Sequence, residues 1–185
     1  ESRRARWVGR VFQDPMAGTA PHLSVEENLS VALGRVRSRG LQMGVSNKDR
    51  MFFREALGSL ELGLESRLKA EVGLLSGGQR QALSLLMATM TKPDILLLDE
   101  HTAALDPQRA ALVSELTGSI VQRDKLTTLM VTHNMEQALQ LGNRLIMMHE
   151  GRIILEVAEE RKASMTVADL LGEFGKLKGA VSDRT

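Results

Sequence analysis

Ile95-Leu96-Leu97-Leu98-Asp99-Glu100 restricts the fold of this chain more than any other stretch: four consecutive aliphatic residues end in two carboxylates. An unbroken apolar run does not alternate, so it suits a central strand covered on both faces, as parallel sheets provide. A helix is predicted over 107–123, with Leu112, Leu116 and Ile120 at i, i+4 and i+8. Residues 127–132 read as another buried strand, 135–141 as another helix and 144–148 as another strand. Glu150-Gly151 turns that strand back into 152–157 as a hairpin, and a last helix over 167–174 precedes a polar tail. The β-α-β-α-β order predicts a layered α/β fold with a mainly parallel sheet.

Upstream, Arg6-Trp7-Val8-Gly9-Arg10-Val11-Phe12 reads as a short strand closed by Gln13-Asp14-Pro15. Ser24 caps a helix that starts with Glu26-Glu27 and carries Val25, Leu29, Ala32, Leu33 and Val36 on one face. Residues 39–48 read as a loop. Helical spacing resumes with Met51, Phe52, Ala56, Leu57 and Leu60 and ends near Gly63. A further helix over 79–90 is apolar almost all round, which marks it as buried.

Composition narrows the function classes. Lys and Arg total 24 against 23 acids, which excludes a polybasic nucleic-acid binder on bulk charge. With no cysteine, disulfides, thiolate metal sites and a cysteine nucleophile are excluded. The longest charge-free runs are 11 residues, far short of the roughly 20 that span a bilayer. No signal-peptide pattern is visible, so a cytosolic-type chain is expected. The ten Met read as core filler beside only four Phe and one Trp. Arg3, Arg4, Arg6 and Arg10 form a small basic cluster that reads as a solvated strand edge.

Three constellations carry chemistry. In Leu75-Ser76-Gly77-Gly78-Gln79, two glycines let backbone N–H groups approach an anion, and the following helix aims its positive end there. Ser76 adds a hydroxyl donor. Asp99 and Glu100 stand at the carboxyl end of the buried strand, where α/β sheets place ligands. The first suits Mg²⁺, and the second can polarise an attacking water. Ala104-Leu105-Asp106 follows in a tight loop, and Thr132-His133 ends the next strand.

With these residues in view, the sequence resembles the nucleotide-binding subunit of ATP-binding cassette (ABC) transporters over about residues 4–157. Residues 75–79 match the signature motif, 95–100 the Walker B strand and 104–106 the D-loop. His133 matches the switch histidine, and Gln13 the Q-loop glutamine. The resemblance implies a P-loop NTPase-like α/β domain with a helical signature subdomain. It divides the chain into 1–14, ending the first core segment; 15–92, helical; 93–160, catalytic core; and 161–185, a helix and tail.

It further implies ATP and Mg²⁺ as cofactors and ATP hydrolysis coupled to transport. Gln13 would sense Mg²⁺ and the attacking water, Asp99 support Mg²⁺, Glu100 activate water and His133 contact the γ-phosphate. Ser76, Gly77, Gly78 and Gln79 would clamp ATP held by the opposite subunit of a head-to-tail dimer, and Asp106 would communicate across that interface. A transmembrane permease would meet residues 13–35 on the cytoplasmic face of the membrane, with Leu23, Val25 and Leu29 as candidate contacts or, alternatively, as cover for the helical subdomain's own core. An extracytoplasmic solute-binding protein would take part indirectly, and nucleic acid would not. Asp99-Glu100-His101-Thr102-Ala103-Ala104-Leu105-Asp106-Pro107, with His101 where most relatives carry Pro or a small residue, resembles a bacterial importer branch for amino acids of the tryptophan/tyrosine type.

The sequence departs from the family in one respect: no G-x-x-x-x-G-K-[ST] phosphate loop occurs in it. The expectation is an amino-terminally truncated domain, inactive alone and short of strands that normally flank the Walker B strand. The alternative is a non-transport ABC ATPase, of the DNA-repair/SMC half or ribosome-associated type. Gln13 and the lack of coiled-coil heptads count against it. A third class is a silent partner that supplies only a signature face.

Overall fold

The computed structural model describes residues 4–36 and 44–182. Arg3 of the basic cluster and residues 39–43 of the expected loop lie outside them. The chain divides into two compact units, Glu1–Val131 and Thr132–Thr185.

In the first unit, strands β1 (Val8–Val11), β2 (Ile95–Asp99) and β3 (Thr127–Val131) form a parallel sheet in the order β1-β2-β3. Parallel neighbours need long crossovers, and the chain supplies them as helices. Between β1 and β2 run α1 (Val25–Leu33), α2 (Asn47–Gly58) and α3 (Gly77–Thr89); α4 (Pro107–Asp124) joins β2 to β3. The register sets Val11 beside Leu98 and Arg10 beside Leu97, so these pairs share faces. Val11, Leu96 and Leu98 are fully or almost fully buried and lie in one core with Phe53, Leu57, Leu83, Leu85 and Ile120.

Several expectations change here. The strand bearing the two acids is paired on both sides, by β1 and β3, so it lacks no neighbours. Among the described residues β1 and β3 are the two edges of this sheet, so β3 is not the buried strand that its apolar content suggests. Leu129 is 57% and Val131 53% exposed. The aliphatic run is fully covered on one face only; Leu97 and Asp99 on the other face are half-buried.

Helix faces also shift. Ser24 caps α1 in a capping box with Glu27, and Val25 and Leu29 are wholly buried. They belong to the core of this unit and cannot contact a permease; Leu23 alone of the three is exposed. Val36 lies beyond α1 and at the surface. α2 begins at Asn47 because Ser46 caps it, inside the expected loop. Its buried stripe is Phe53 and Leu57, continued by Leu60 at i, i+4 and i+7, whereas Met51 is 72% exposed and Phe52 half out. On α4 the buried stripe is Val113, Thr117 and Ile120, and Leu112 faces outward.

Close packing of β1 on α3 depends on Gly9, where an added Cβ would stand 2.6 Å from the Ala88 carbonyl oxygen and 3.1 Å from Pro93 Cγ. A backbone atom cannot swing away. Gly9→Ala is expected to cost roughly 1–3 kcal/mol. Gly58→Ala, in α2 with nothing near its Cβ, is expected to gain roughly 0.5–1 kcal/mol. Denaturant midpoints of the two variants check the contrast.

Glu26, in the first turn of α1, is a buried acid. Arg50 grips its carboxylate at 2.9 and 3.2 Å, and Lys69 Nζ lies 2.6 Å away. The bond from Arg50, opposed by burial and assisted by Lys69, holds this carboxyl below the usual 4.5. Because the folded value is the lower one, the contribution to stability is complete above pH 4.5 and fades as pH falls through the folded pKa. Thermal midpoints are expected to drop below pH 4.5, and Glu26→Gln to remove part of that drop.

In the second unit, α5 (Met135–Gln140) precedes the antiparallel hairpin of β4 (Arg144–His149) and β5 (Arg152–Ala158), followed by α6 (Glu159–Lys162) and α7 (Val167–Ser182). Glu150 and Gly151, at φ 46° and 74°, make the left-handed two-residue turn that hairpin twist favours. Leu145, Met147, Val157 and Leu170 form its core. α7 runs past 174 to Ser182, so the expected polar tail is mostly helix. No helix among the described residues is long and apolar enough to cross a membrane.

Candidate functional site

Strand parity aims Asp99 onto the same sheet face as Arg10. The Arg10 guanidinium lies 3.0 Å from Asp99 Oδ2 and 4.5 Å from the centre of the Phe12 ring. Arg10 thus stays exposed on an edge strand, as expected, and in addition partners the strand's first acid. Exposed pairs of this kind contribute only about 0–1 kcal/mol; what the pair fixes is the carboxylate's direction.

Glu100 ends the strand differently. Its N–H donates to Val131 O at 2.9 Å, extending the β2-β3 ladder, while its φ of 44° is left-handed. That conformation costs a non-glycine residue roughly 1–2 kcal/mol. Ala103 N donates to Glu100 O at 2.9 Å and closes a tight turn. The chain thus bends sharply right after its second acid and leaves both carboxyl groups at the sheet's carboxyl end.

His101, next in the turn, is buried, with Nε2 3.1 Å from Thr117 Oγ1 on α4. Thr117 Oγ1 itself donates to Val113 O at 2.7 Å, so it receives the bond from a protonated Nε2. Nδ1 is then an unprotonated acceptor, with no partner among the described residues. Burial pushes this imidazole down to about 4, so it is neutral at pH 7.

The signature stretch opens α3. Ser76 is its N-cap: Gln79 N donates to Ser76 Oγ at 3.3 Å, and Ser76 N to Gln79 Oε1 at 3.2 Å. Gln79 Nε2 donates to Leu62 O at 3.2 Å, so this side chain is committed inward. The Ser76 hydroxyl still has its proton to donate. A Cβ on Gly78 would sit 3.3–3.4 Å from the Arg109 side chain, and one on Gly77 3.4 Å from Leu105. Glycine at 78 therefore serves the close approach of α3 and α4, and the signature and D-loop stretches are neighbours.

Asp106 caps α4, accepting from Arg109 N at 3.1 Å, with Pro107 at the first helical position. Gln13 is exposed just after β1, ahead of a turn in which Asp14 accepts from Met16 N at 2.8 Å. His133 belongs to the other unit, exposed beside Thr132, which donates to Gln137 Oε1 at 2.8 Å.

Two linking residues escaped the sequence reading. Arg80 donates to the carbonyls of Val72, Gly73 and Leu75 and so holds the loop before the signature. Gln81, wholly buried, donates from Nε2 to Phe12 O at 3.2 Å and ties α3 to the residue before Gln13. A glutamine and an arginine on a helix otherwise apolar all round were the available signal.

Among the described residues no group of three or more His, Cys, Asp or Glu could hold a metal. Mg²⁺ is ordinarily held by one or two carboxylates, with waters and phosphate oxygens completing the shell. Asp99 fits this role, at the strand end and half-buried. For ATP, the Ser76 hydroxyl and the α3 N-terminus fit a phosphate, and the sequence holds no phosphate loop to complete the cradle.

Comparison with known proteins gives a consistent picture. The family model described as ABC transporter matches residues 1–103. A tyrosine transport ATP-binding protein of Clostridioides difficile is 47% identical over 94% of this chain and 69% of its own length. The phosphonates import ATP-binding protein PhnC of Frankia casuarinae is 40% identical over 74% of this chain, and the sulfate/thiosulfate import protein CysA of Xylella fastidiosa 38% over 97%. The chain spans 54% and 51% of those two. Among solved structures, the dimeric ATP-binding cassette MJ0796 bound to ADP and Pi is 28% identical with TM-score 0.68, over 85% of this chain and 65% of that one. A metal-chelate type ABC transporter in an inward-facing conformation shares the fold at TM-score 0.73 and 24% identity, over 91% of this chain and 64% of that one. The chain belongs to the ATP-binding subunits of the ABC transporter family.

Proposed function

We propose that this chain supplies the signature, Walker B and switch elements of an ATP-hydrolysing subunit of a bacterial ABC importer. The supporting observation is the joint placement of Asp99 and Glu100 at the carboxyl end of a strand paired on both sides. The signature cap of Ser76 lies in the same unit, against the Asp106 stretch. Relatives named for tyrosine transport and for phosphonate and sulfate/thiosulfate import favour a transporter over a repair or ribosome-associated ATPase.

In this reading Glu100 accepts a proton from the attacking water, Gln13 and His133 orient that water and the terminal phosphate, and Asp99 holds Mg²⁺ through water. Bound Mg²⁺ neutralises phosphate charge; the protein's part is positioning and electrostatics. Ser76 and the N–H groups of Gly77 and Gly78 face ATP held by a second subunit, with Gln79 stiffening them from behind. Residues 15–92 act as the helical subdomain, and Leu23 and Met16 are exposed candidates for a permease contact on the cytoplasmic face. A solute-binding protein acts at a distance. The Clostridioides relative makes an amino acid the preferred solute.

In this reading the phosphate cradle is supplied by residues other than these, whose sequence holds none. Binding of a fluorescent ATP analogue with Mg²⁺ tests this. The full-length protein is expected to bind it and residues 1–185 alone to bind it poorly. Tight binding by residues 1–185 alone would show that other residues hold the nucleotide.

A further inference from the structure

His101 takes no part in the chemistry above, yet it is a polar side chain only 1% exposed, directly after the proposed base. The turn it enters runs from Glu100 to Ala103, closed by the Ala103 N to Glu100 O bond, and His101 is its second residue. Proline favours that position because it presets φ. His101 has no such preset; its side chain instead reaches α4 through the 3.1 Å bond to Thr117, whose hydroxyl is itself fixed by Val113 O. Thr117 is almost fully buried and Val113 wholly so, which gives the bond a rigid anchor. The residue preceding His101, Glu100, is held in a left-handed conformation that a non-glycine residue does not favour.

We propose that His101 is a positioning residue for Glu100: the Nε2–H bond to Thr117 moors the turn to α4 and fixes the direction in which the Glu100 carboxylate leaves the sheet. This rests on the reading of Glu100 as the base. The ring makes a single hydrogen bond, through Nε2, and its Nδ1 has no partner among the described residues. Bulk is not the determining property. Gln at 101 can present an N–H where Nε2 stands, and Leu of similar size cannot.

The test uses the full-length protein with His101→Leu, His101→Gln, Thr117→Val and Thr117→Ser. His101→Leu and Thr117→Val are expected to lower kcat about 10- to 100-fold with KM for ATP little changed, as misdirection of a reacting group does. His101→Gln and Thr117→Ser are expected to regain most of it, and the double variant His101→Leu/Thr117→Val to be no worse than either single one. A second readout needs no turnover: the NMR coupling between N–H and Hα of Glu100 reports its left-handed φ. It is expected to change in His101→Leu and Thr117→Val and to return in His101→Gln.

Unchanged coupling and kcat in His101→Leu would overturn the proposal, as would a loss that His101→Gln does not repair. If the wild-type protein fails to hydrolyse ATP, the functional reading falls, and the Glu100 coupling still decides whether His101 sets its geometry. If His101→Leu does not fold, the Thr117 pair carries the same comparison.

Discussion

Glu100→Gln in the full-length protein is expected to lower ATP turnover by about 10²–10⁴-fold, the contribution of a positioned general base. Nucleotide binding is expected to stay near wild type. The amide keeps the size and one oxygen of the carboxylate, so the left-handed turn after β2 and the Glu100 N–H bond to Val131 persist. Only the capacity to take a proton is lost. Asp99→Asn should differ: it weakens the Mg²⁺ site and releases Arg10, and is expected to show as a higher Mg²⁺ requirement. Steady-state hydrolysis with a Mg²⁺ titration separates the two roles.

The second large effect concerns the core. Phe53 is wholly buried in α2, among residues that also include Val11, Leu96 and Leu98 of the sheet. Phe53→Ala is expected to cost about 3–5 kcal/mol, the loss of a buried ring plus the cavity it leaves. Because helical and sheet residues share one core, the loss should lower the stability of Glu1–Val131 as a whole. Native-state hydrogen exchange reads this directly. Amides of β2 and of α2 are expected to lose protection together; loss confined to α2 would show that the helical residues open by themselves.

Much of the fold was legible because it rests on local chemistry. Ser24 is a cap that announces a helix start, and the aliphatic run at 95–98 announces the strand bearing the acids. What the sequence concealed depends on partners distant in the chain. Apolar residues at 127–131 look like any central strand, and only the pairing β1-β2-β3 leaves them at an edge. Met51, Phe52 and Phe53 are all apolar, and the rotation of α2 against its core decides that Phe53 goes inside, one turn before Leu57.

The site shows the same division. Motif order marks Asp99, Glu100, Asp106 and Ser76, but not that Arg10 sits on Asp99, since that contact follows from strand parity across 89 residues of sequence. Nor did the motif foretell that Gln79 faces inward to Leu62, or that Gly78 is glycine because Arg109 packs on it. In the signature loop, residue types suited to anion binding also serve as a helix cap and a helix contact, and sequence alone does not separate the two uses.

Complementation between subunits tests the central claim most directly. The reading places Ser76 and Glu100 of one chain in different nucleotide sites of a head-to-tail dimer. Full-length Ser76→Arg, which sets a bulky cation at the α3 N-terminus, and full-length Glu100→Gln are each expected to lose turnover alone. Mixed, they form dimers in which one site pairs the intact Glu100 of the first variant with the intact Ser76 of the second. A clear recovery of ATP hydrolysis on mixing is the predicted result. Mixtures as inactive as the separate variants would contradict the account, and so would a Ser76→Arg protein that hydrolyses ATP at the wild-type rate.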